Sequence, residues 1–220
     1  KRDIVDTYGI NPKKIDVVFN GVKDIFHPAD PEKIKALTKN KNYFFYIGSL
    51  HPRKNIINLL KGFNQFKNLS SNNVKLVIGG DFLFKSNEIK SVLEKLNHKE
   101  EVILTGRLTD EELNTWLSGA IALTYIPYFE GFGIPLLEAM KCKIPILTSN
   151  VTSLPEVGSD AAIYANPESI DDIANGMNIL YENDTIRKEL VEKGQKRLKD
   201  FSWDKSAKLL WESIQKTIHS

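Results

Sequence analysis

The sequence predicts an α/β fold in which a parallel sheet is covered by helices on both faces. Three observations carry the prediction. Short apolar runs such as residues 120–125 have the length of strands buried on both sides, and they recur from residue 43 onward. Stretches of helical period fill the gaps between them. Glycine and proline stand at most of the junctions, as Gly48, Gly79-Gly80, Gly106 and Pro127 do, which ends each strand abruptly.

In chain order, residues 1–27 read as a connector: the tail of a helix to Tyr8, then Gly9-Ile-Asn-Pro12, then a short strand over 15–19 closed by the turn pair Asn20-Gly21. Residues 28–201 form the main body. Strands are expected at 43–48, 74–79, 101–105, 120–125, 144–148 and 161–164, and helices at about 55–67, 86–97, 110–118, 135–142 and 169–182. Thr109 and Glu112 have capping-box spacing at the start of the third of these helices. Residues 186–198 are charged and amphipathic. In the last part, 202–220, Trp203, Ala207, Leu210, Ile214 and Ile218 line one face of a final helix, which suits packing on this domain, on a further domain, or on a membrane or partner surface.

Composition narrows the function. The chain has 220 residues, 41% of them hydrophobic, enough for one domain with a sizeable core or at most two small ones. Thirty Lys and Arg against 28 Asp and Glu give a net charge of +2 with no basic cluster, so nucleic-acid binding is not expected. The lone cysteine, Cys142, excludes an intrachain disulfide and a cysteine-based metal site, and fits a reducing cytosol. His27, His51, His98 and His219 are scattered, so no metal site is expected. A run of 18 apolar residues, a P-loop, a Gly-x-Ser-x-Gly elbow and a third glycine after 131 and 133 are all missing from the sequence.

Sheets of this kind bind ligands at the carboxyl ends of their strands, near the point where strand order reverses. The loop after the strand at 120–125 holds Glu130-Gly-Phe-Gly-Ile-Pro135-Leu-Leu-Glu138. Gly131 and Gly133 permit close approach of a ligand to the backbone, and Pro135 suits the first turn of a helix whose free N–H groups attract anions or hydroxyls. Glu138, about 4.5 Å along the axis from Pro135 by helical rise, reaches the same pocket as Glu130. Two glutamates so spaced also fit ordinary solvated positions. After the first strand, Gly48-Ser-Leu-His-Pro52-Arg53-Lys54-Asn55 places two cations at a helix start, where a diphosphate would sit, or forms a solvated basic turn.

The string from Glu130 to Glu138 resembles the Glu-x7-Glu signature of family 4 of the retaining glycosyltransferases, which have the GT-B fold. The resemblance implies that Glu130 contacts the transferred sugar, that the backbone of Phe132 and Gly133 holds sugar hydroxyls and phosphate, and that Glu138 takes the ribose hydroxyls. Pro52-Arg53-Lys54-Asn55 resembles a family string whose lysine neutralises the leaving diphosphate, so Lys54 is the first candidate and Arg53 the second, beside Gly48. This chain has Ser49 where many relatives have arginine, so the second cation is either missing or supplied by Arg53. The family's base-reading loop corresponds to Arg107 and Leu108, and Ser149 matches a position that reaches phosphate. Asn20-Gly21-Val22 and Phe26-His27-Pro28 resemble the segment leading into the second GT-B domain.

The resemblance therefore implies the Rossmann-like, donor-binding half of a GT-B enzyme, with the acceptor contacted by an amino-terminal domain and the final helix crossing back to it. The implied activity is metal-free transfer of a hexose, with retained configuration, from a UDP- or GDP-sugar to a glycan or lipid-linked acceptor of cell-envelope polysaccharide synthesis. It would take place in the cytoplasm at the inner face of the membrane, with this half inactive by itself. The alternatives are a non-catalytic nucleotide-sugar-binding module, which Ser49 keeps open although Glu130, Glu138 and Lys54 argue against it, and another GT-B activity such as epimerisation or phosphorolysis, the latter without a matching lysine context for pyridoxal phosphate.

Overall fold

A computed structural model of the chain describes residues 1–69, 72–81 and 87–218. Six parallel strands form one sheet in the order β3-β2-β1-β4-β5-β6: β1 (Tyr43–Ile47), β2 (Lys75–Gly79), β3 (Val102–Gly106), β4 (Ala122–Tyr125), β5 (Ile146–Ser149) and β6 (Ile163–Ala165). The helices in chain order are α1 (Arg2–Tyr8), α2 (Pro31–Thr38), α3 (Ile56–Leu69), α4 (Asn87–Glu94), α5 (Asp110–Ser118), α6 (Ile134–Lys141), α7 (Leu154–Gly158), α8 (Ile170–Glu182), α9 (Asp184–Arg197) and α10 (Trp203–Ile218). Strand order grows outward from β1 to β3, then reverses and grows the other way from β4. The reversal falls between β1 and β4, which pair in register Phe44↔Ala122 and Phe45↔Leu123.

The aromatic run of β1 explains the two-sided cover. Tyr43, Phe44, Phe45 and Tyr46 are all completely buried, and alternate residues face opposite ways. Tyr43 meets the Trp116 ring of α5 edge-on at 5.2 Å, while Phe44 meets Phe66 of α3 edge-on at 5.5 Å. Helices therefore lie on both sides of the same strand. The Tyr43 hydroxyl, buried with its ring, is satisfied by donating to the Trp116 carbonyl at 2.7 Å. Behind α3 lies α8, and Phe66 also touches Tyr181 of α8 edge-on at 5.7 Å.

Each expected strand from residue 43 onward is present within a residue or two, and the Thr109–Glu112 capping box is formed in both directions. Four points depart from these expectations, go beyond them or narrow them. Residues 15–19 pair with no strand among the described residues; they run beside α10, whose Ser206 hydroxyl donates to the Phe19 carbonyl and whose Lys216 holds Asp16 at 3.0 Å. Gly21 is required by packing rather than by a turn, because a Cβ there would lie 2.5 Å from the backbone nitrogen of Trp203. Helix α2 was not anticipated, although Asp30 caps it and Pro31 opens it. Finally, the stripe on α10 does not pack on this domain: Trp203, Leu210, Ile214 and Ile218 are exposed, and no residue of the helix is buried. Residue 86 of the expected second helix, and His219 and residue 220 of the last, lie outside the described residues.

Candidate functional site

A cleft of about 660 Å³ opens at the carboxyl ends of β1 and β4, where the strand order reverses. One wall is the loop from Gly48 to Lys54. The other is the loop from Glu130 into α6, with Asn20 of the connector at the rim.

The first wall depends on close backbone approach. Gly48, at φ 140°, donates its N–H to the Gly79 carbonyl at 3.0 Å, and a Cβ on Gly80, at φ 154°, would sit 2.0 Å from the Gly48 carbonyl oxygen. Only glycine lets these strand ends pinch together. The chain then makes a single 3-10 turn, Pro52–Lys54, with the His51 ring accepting from the Arg53 N–H at 3.2 Å and Asn55 ending it at φ 58°. The turn drives Lys54 inward, and only 7% of that residue remains exposed. Its ammonium donates to both the Tyr125 hydroxyl and Oε2 of Glu130, and lies 5.0 Å from the Tyr125 ring centroid. The Arg53 guanidinium stands 3.6 Å from the same carboxylate and donates to the Phe129 carbonyl at 3.3 Å. Its own carbonyl accepts from the Tyr128 N–H at 2.9 Å, tying the walls together.

On the second wall, Ser153 donates its hydroxyl to the Glu130 and Phe132 carbonyls at 2.9 and 3.0 Å, and Thr152 accepts from the Glu130 N–H at 3.2 Å. Gly133 caps α6 at φ 105°, where a Cβ would lie 2.7 Å from Leu154. Gly131 is different: a Cβ there would meet nothing within 4 Å, so packing does not demand glycine at that position. The N–H groups of Phe132, Gly133 and Ile134 find no acceptor among the described residues, and they form the start of α6. Glu138, one turn on, lines the cleft with no hydrogen-bond or ion-pair partner among the described residues.

The electrostatics separate the two carboxylates. Burial works against ionisation of Glu130, but the hydrogen bonds from Lys54 and Tyr125 outweigh it and hold its pKa below the ordinary value. Burial lowers Lys54, with the Glu130 charge opposing. Glu138 has no such partner, and burial pushes it up to about 7. The cleft thus holds one satisfied carboxylate beside two cations, and one carboxylate still in want of donors.

Lys54, Arg53, Glu130, Gly48, Phe132, Gly133 and Glu138 all border this cleft. Arg107 and Leu108 do not; they follow β3 at the edge of the sheet, Arg107 exposed and Leu108 packed toward Gly79 at the end of β2. Ser149 is not brought to the cleft either. It is completely buried in β5, and its hydroxyl donates to the Pro127 carbonyl at 2.7 Å, where it fastens the end of β4. Sequence reasoning missed Tyr125, Asn20, Thr152 and Ser153. A Thr-Ser pair some twenty positions beyond the glycine-rich loop is a weak signal, and a tyrosine ending an apolar strand is none. Among the described residues no group of three His, Cys, Asp or Glu is placed to hold a metal ion.

The family model for glycosyl transferases group 1 matches residues 29–197. The chain is 32% identical over 164 residues to O-antigen chain mannosyltransferase B of Escherichia coli, covering 74% of this chain and 43% of that protein. It is 30% identical over 168 residues to O-antigen chain mannosyltransferase RfbU of Salmonella typhimurium, covering 76% and 44%. The chain therefore spans less than half the length of these two curated relatives. The crystal structure of Anabaena Alr3699/HepE in complex with UDP superposes with a TM-score of 0.85 at 18% identity, covering 96% of this chain and 60% of that one. That likeness is one of fold, the Rossmann-like half of a GT-B glycosyltransferase. With the motif-bearing loops facing one cleft and the family match running over most of its length, the chain belongs to the group 1 glycosyltransferases.

Proposed function

We propose that this chain is the donor-binding half of a retaining hexosyltransferase that takes a nucleotide diphosphate sugar without a metal ion. The observation that carries the reading is the asymmetry of the cleft, with Lys54, Arg53 and the free N–H groups at the start of α6 on the anion side and the partnerless Glu138 beyond them. The cations and N–H groups suit a diphosphate. Glu138 suits the ribose hydroxyls, which would supply the donors it lacks. Glu130, beside Lys54, would orient the sugar.

In the reaction, the bond from the anomeric carbon to the diphosphate oxygen breaks as the acceptor hydroxyl bonds to the same face of the sugar. The hydroxyl proton passes to the departing phosphate oxygen. Lys54 and Arg53 stabilise the charge growing there, an electrostatic contribution aimed at the transition state. Arg53, 3.6 Å from Glu130, supplies the cation that Ser49 does not, which favours turnover over a non-catalytic binding module.

The names of the two curated relatives support mannose as the sugar and a polysaccharide as the product. The acceptor, a glycan or a lipid-linked one, would be held by the part of the protein beyond this chain, and the exposed stripe of α10 would pack there. We assign the reaction to the cytoplasm, at the inner face of the membrane; no described helix is long and apolar enough to cross it.

Calorimetric titration with UDP and GDP, with and without magnesium, tests the reading. Binding of one, indifferent to magnesium and weakened roughly thirtyfold by Lys54→Ala, about 2 kcal/mol for a lost charged hydrogen bond, is the expected result. Binding that depends on magnesium, or that ignores Lys54→Ala, would overturn it.

A further inference from the structure

We propose that Tyr125 is a positioning residue for the Lys54–Glu130 pair, its phenol remaining on the Glu130 carboxylate when an entering diphosphate draws the Lys54 ammonium away. The identity of the anion rests on the donor-binding reading above; the rest rests on geometry.

Tyr125 is the last residue of β4, and 1% of it is exposed. Its ring stacks on that of Tyr46 at the facing end of β1, 5.9 Å between centroids and 24° between planes. Its carbonyl accepts from the Thr148 hydroxyl at 2.7 Å. The phenol is thus held from the ring, from the backbone and from the neighbouring strand, and it has little freedom to turn. A phenol has one proton to give and lone pairs to receive. Here the proton goes to Oε2 of Glu130 at 2.5 Å, and the oxygen accepts from Lys54. Lys54 also donates to Glu130, which closes a triangle of three side chains from two stretches of chain, the 3-10 turn after β1 and the end of β4 with its loop.

The triangle matters for what happens when a ligand arrives. An ammonium has three protons, and two are committed within the triangle, so a diphosphate that takes more than the one remaining N–H draws Lys54 off Glu130. That carboxylate is only 16% exposed, and a charge left there without donors is costly. Tyr125 keeps one donor on it throughout, and Arg53, at 3.6 Å, supplies attraction from the other side. The phenol therefore lowers the cost of releasing Lys54 to the anion. It acts on the ligand only through Lys54 and Glu130.

Tyr125→Phe keeps the ring and its stacking and removes the hydroxyl alone. UDP and GDP are the probes, titrated into wild type, Tyr125→Phe, Glu130→Gln and the double variant. We expect Tyr125→Phe to weaken binding about tenfold, in line with an unsatisfied buried carboxylate. In the Glu130→Gln background, where no charge is stranded, the same change should cost less than about twofold. Urea denaturation of the four proteins reads the same coupling without ligand, as at least a fivefold departure of the unfolding constants from additivity.

Wild-type affinity in Tyr125→Phe, or an equal loss in both backgrounds, would overturn the proposal. Should the wild type bind neither nucleotide, the donor reading fails, and the denaturation cycle decides for or against the triangle: additive effects reject it, and coupled ones retain it.

Discussion

Changing Glu138 to glutamine should make the chain more stable in neutral and alkaline solution, and less so in acid. The carboxyl lies in the cleft without a hydrogen-bond or ion-pair partner among the described residues, and burial, opposed by the Lys23 charge, raises its pKa from 4.5 to about 7. A group whose folded pKa exceeds its unfolded value binds its proton more tightly in the native state. Its stabilising contribution is therefore complete below about pH 4.5 and is lost as pH rises through about 7. At roughly 1.4 kcal/mol per unit the shift sets a ceiling near 3 kcal/mol, and solvent in the open cleft brings the working value to about 2. Glutamine fills the same space without the charge. Urea denaturation of both proteins at pH 4.5, 6, 7 and 8 should show the variant gaining on the wild type by about 2 kcal/mol across that range, equivalent to about 4–8 °C in unfolding midpoint for a chain of this length. A gap that does not change with pH would refute the reasoning, since it would place the carboxyl in ordinary solvent. The same charge should matter oppositely for ligand. If ribose hydroxyls donate to Glu138, the nucleotide favours the ionised form, so binding near pH 6.5 should release more protons in the wild type than in Glu138→Gln, where only the nucleotide's own phosphate contributes. Calorimetry in buffers of different ionisation enthalpy reads that difference directly.

Two further outcomes follow from packing. Gly80→Ala would put a methyl group 2.0 Å from the Gly48 carbonyl, at a backbone angle that L residues rarely adopt. It should cost about 3 kcal/mol or more, and a loss under about 1 kcal/mol would mean that the strand ends separate freely. Leu210→Ser combined with Trp211→Ser removes apolar groups that are 54% and 58% exposed. Thermal unfolding should place this variant within about 1 kcal/mol of the wild type, whereas a loss beyond about 2 kcal/mol would show that the stripe packs on this domain after all.

The sheet was legible because its strands are short, apolar and cut off by glycine or proline, so that length and punctuation agree. The stretch 15–19 has the same apolar character, yet its partner is a helix met 187 to 200 residues later in the sequence, and local pattern carries no record of that pairing. Helix α2 escaped notice for the opposite reason: its cap and opening proline are plain, but only Thr38 of its residues is buried, so no strong apolar period marks it. The site divides in the same way. Glu130, Glu138, Arg53 and Lys54 stand in strings whose composition is unusual for a loop, and all four reach the cleft. Tyr125 looks like any aromatic residue closing a strand, and its hydroxyl acquires meaning only when β1 lies beside β4. Ser149 misled because a hydroxyl at a strand end reads the same whether it faces a ligand or a neighbouring carbonyl.

The reversal of strand order between β1 and β4 has a consequence for how the cleft comes into being. Lys54 and Glu130 are 76 positions apart, and the segment between them contains all of β2, β3 and the helices that flank them. Joining the two walls closes a large loop, and the entropy of that closure is recovered only when the intervening strands have taken their places. A partly assembled sheet has no cleft at all. Nucleotide should therefore slow amide hydrogen exchange across the whole sheet rather than around the loops alone, so that ligand protection reports completion of the fold.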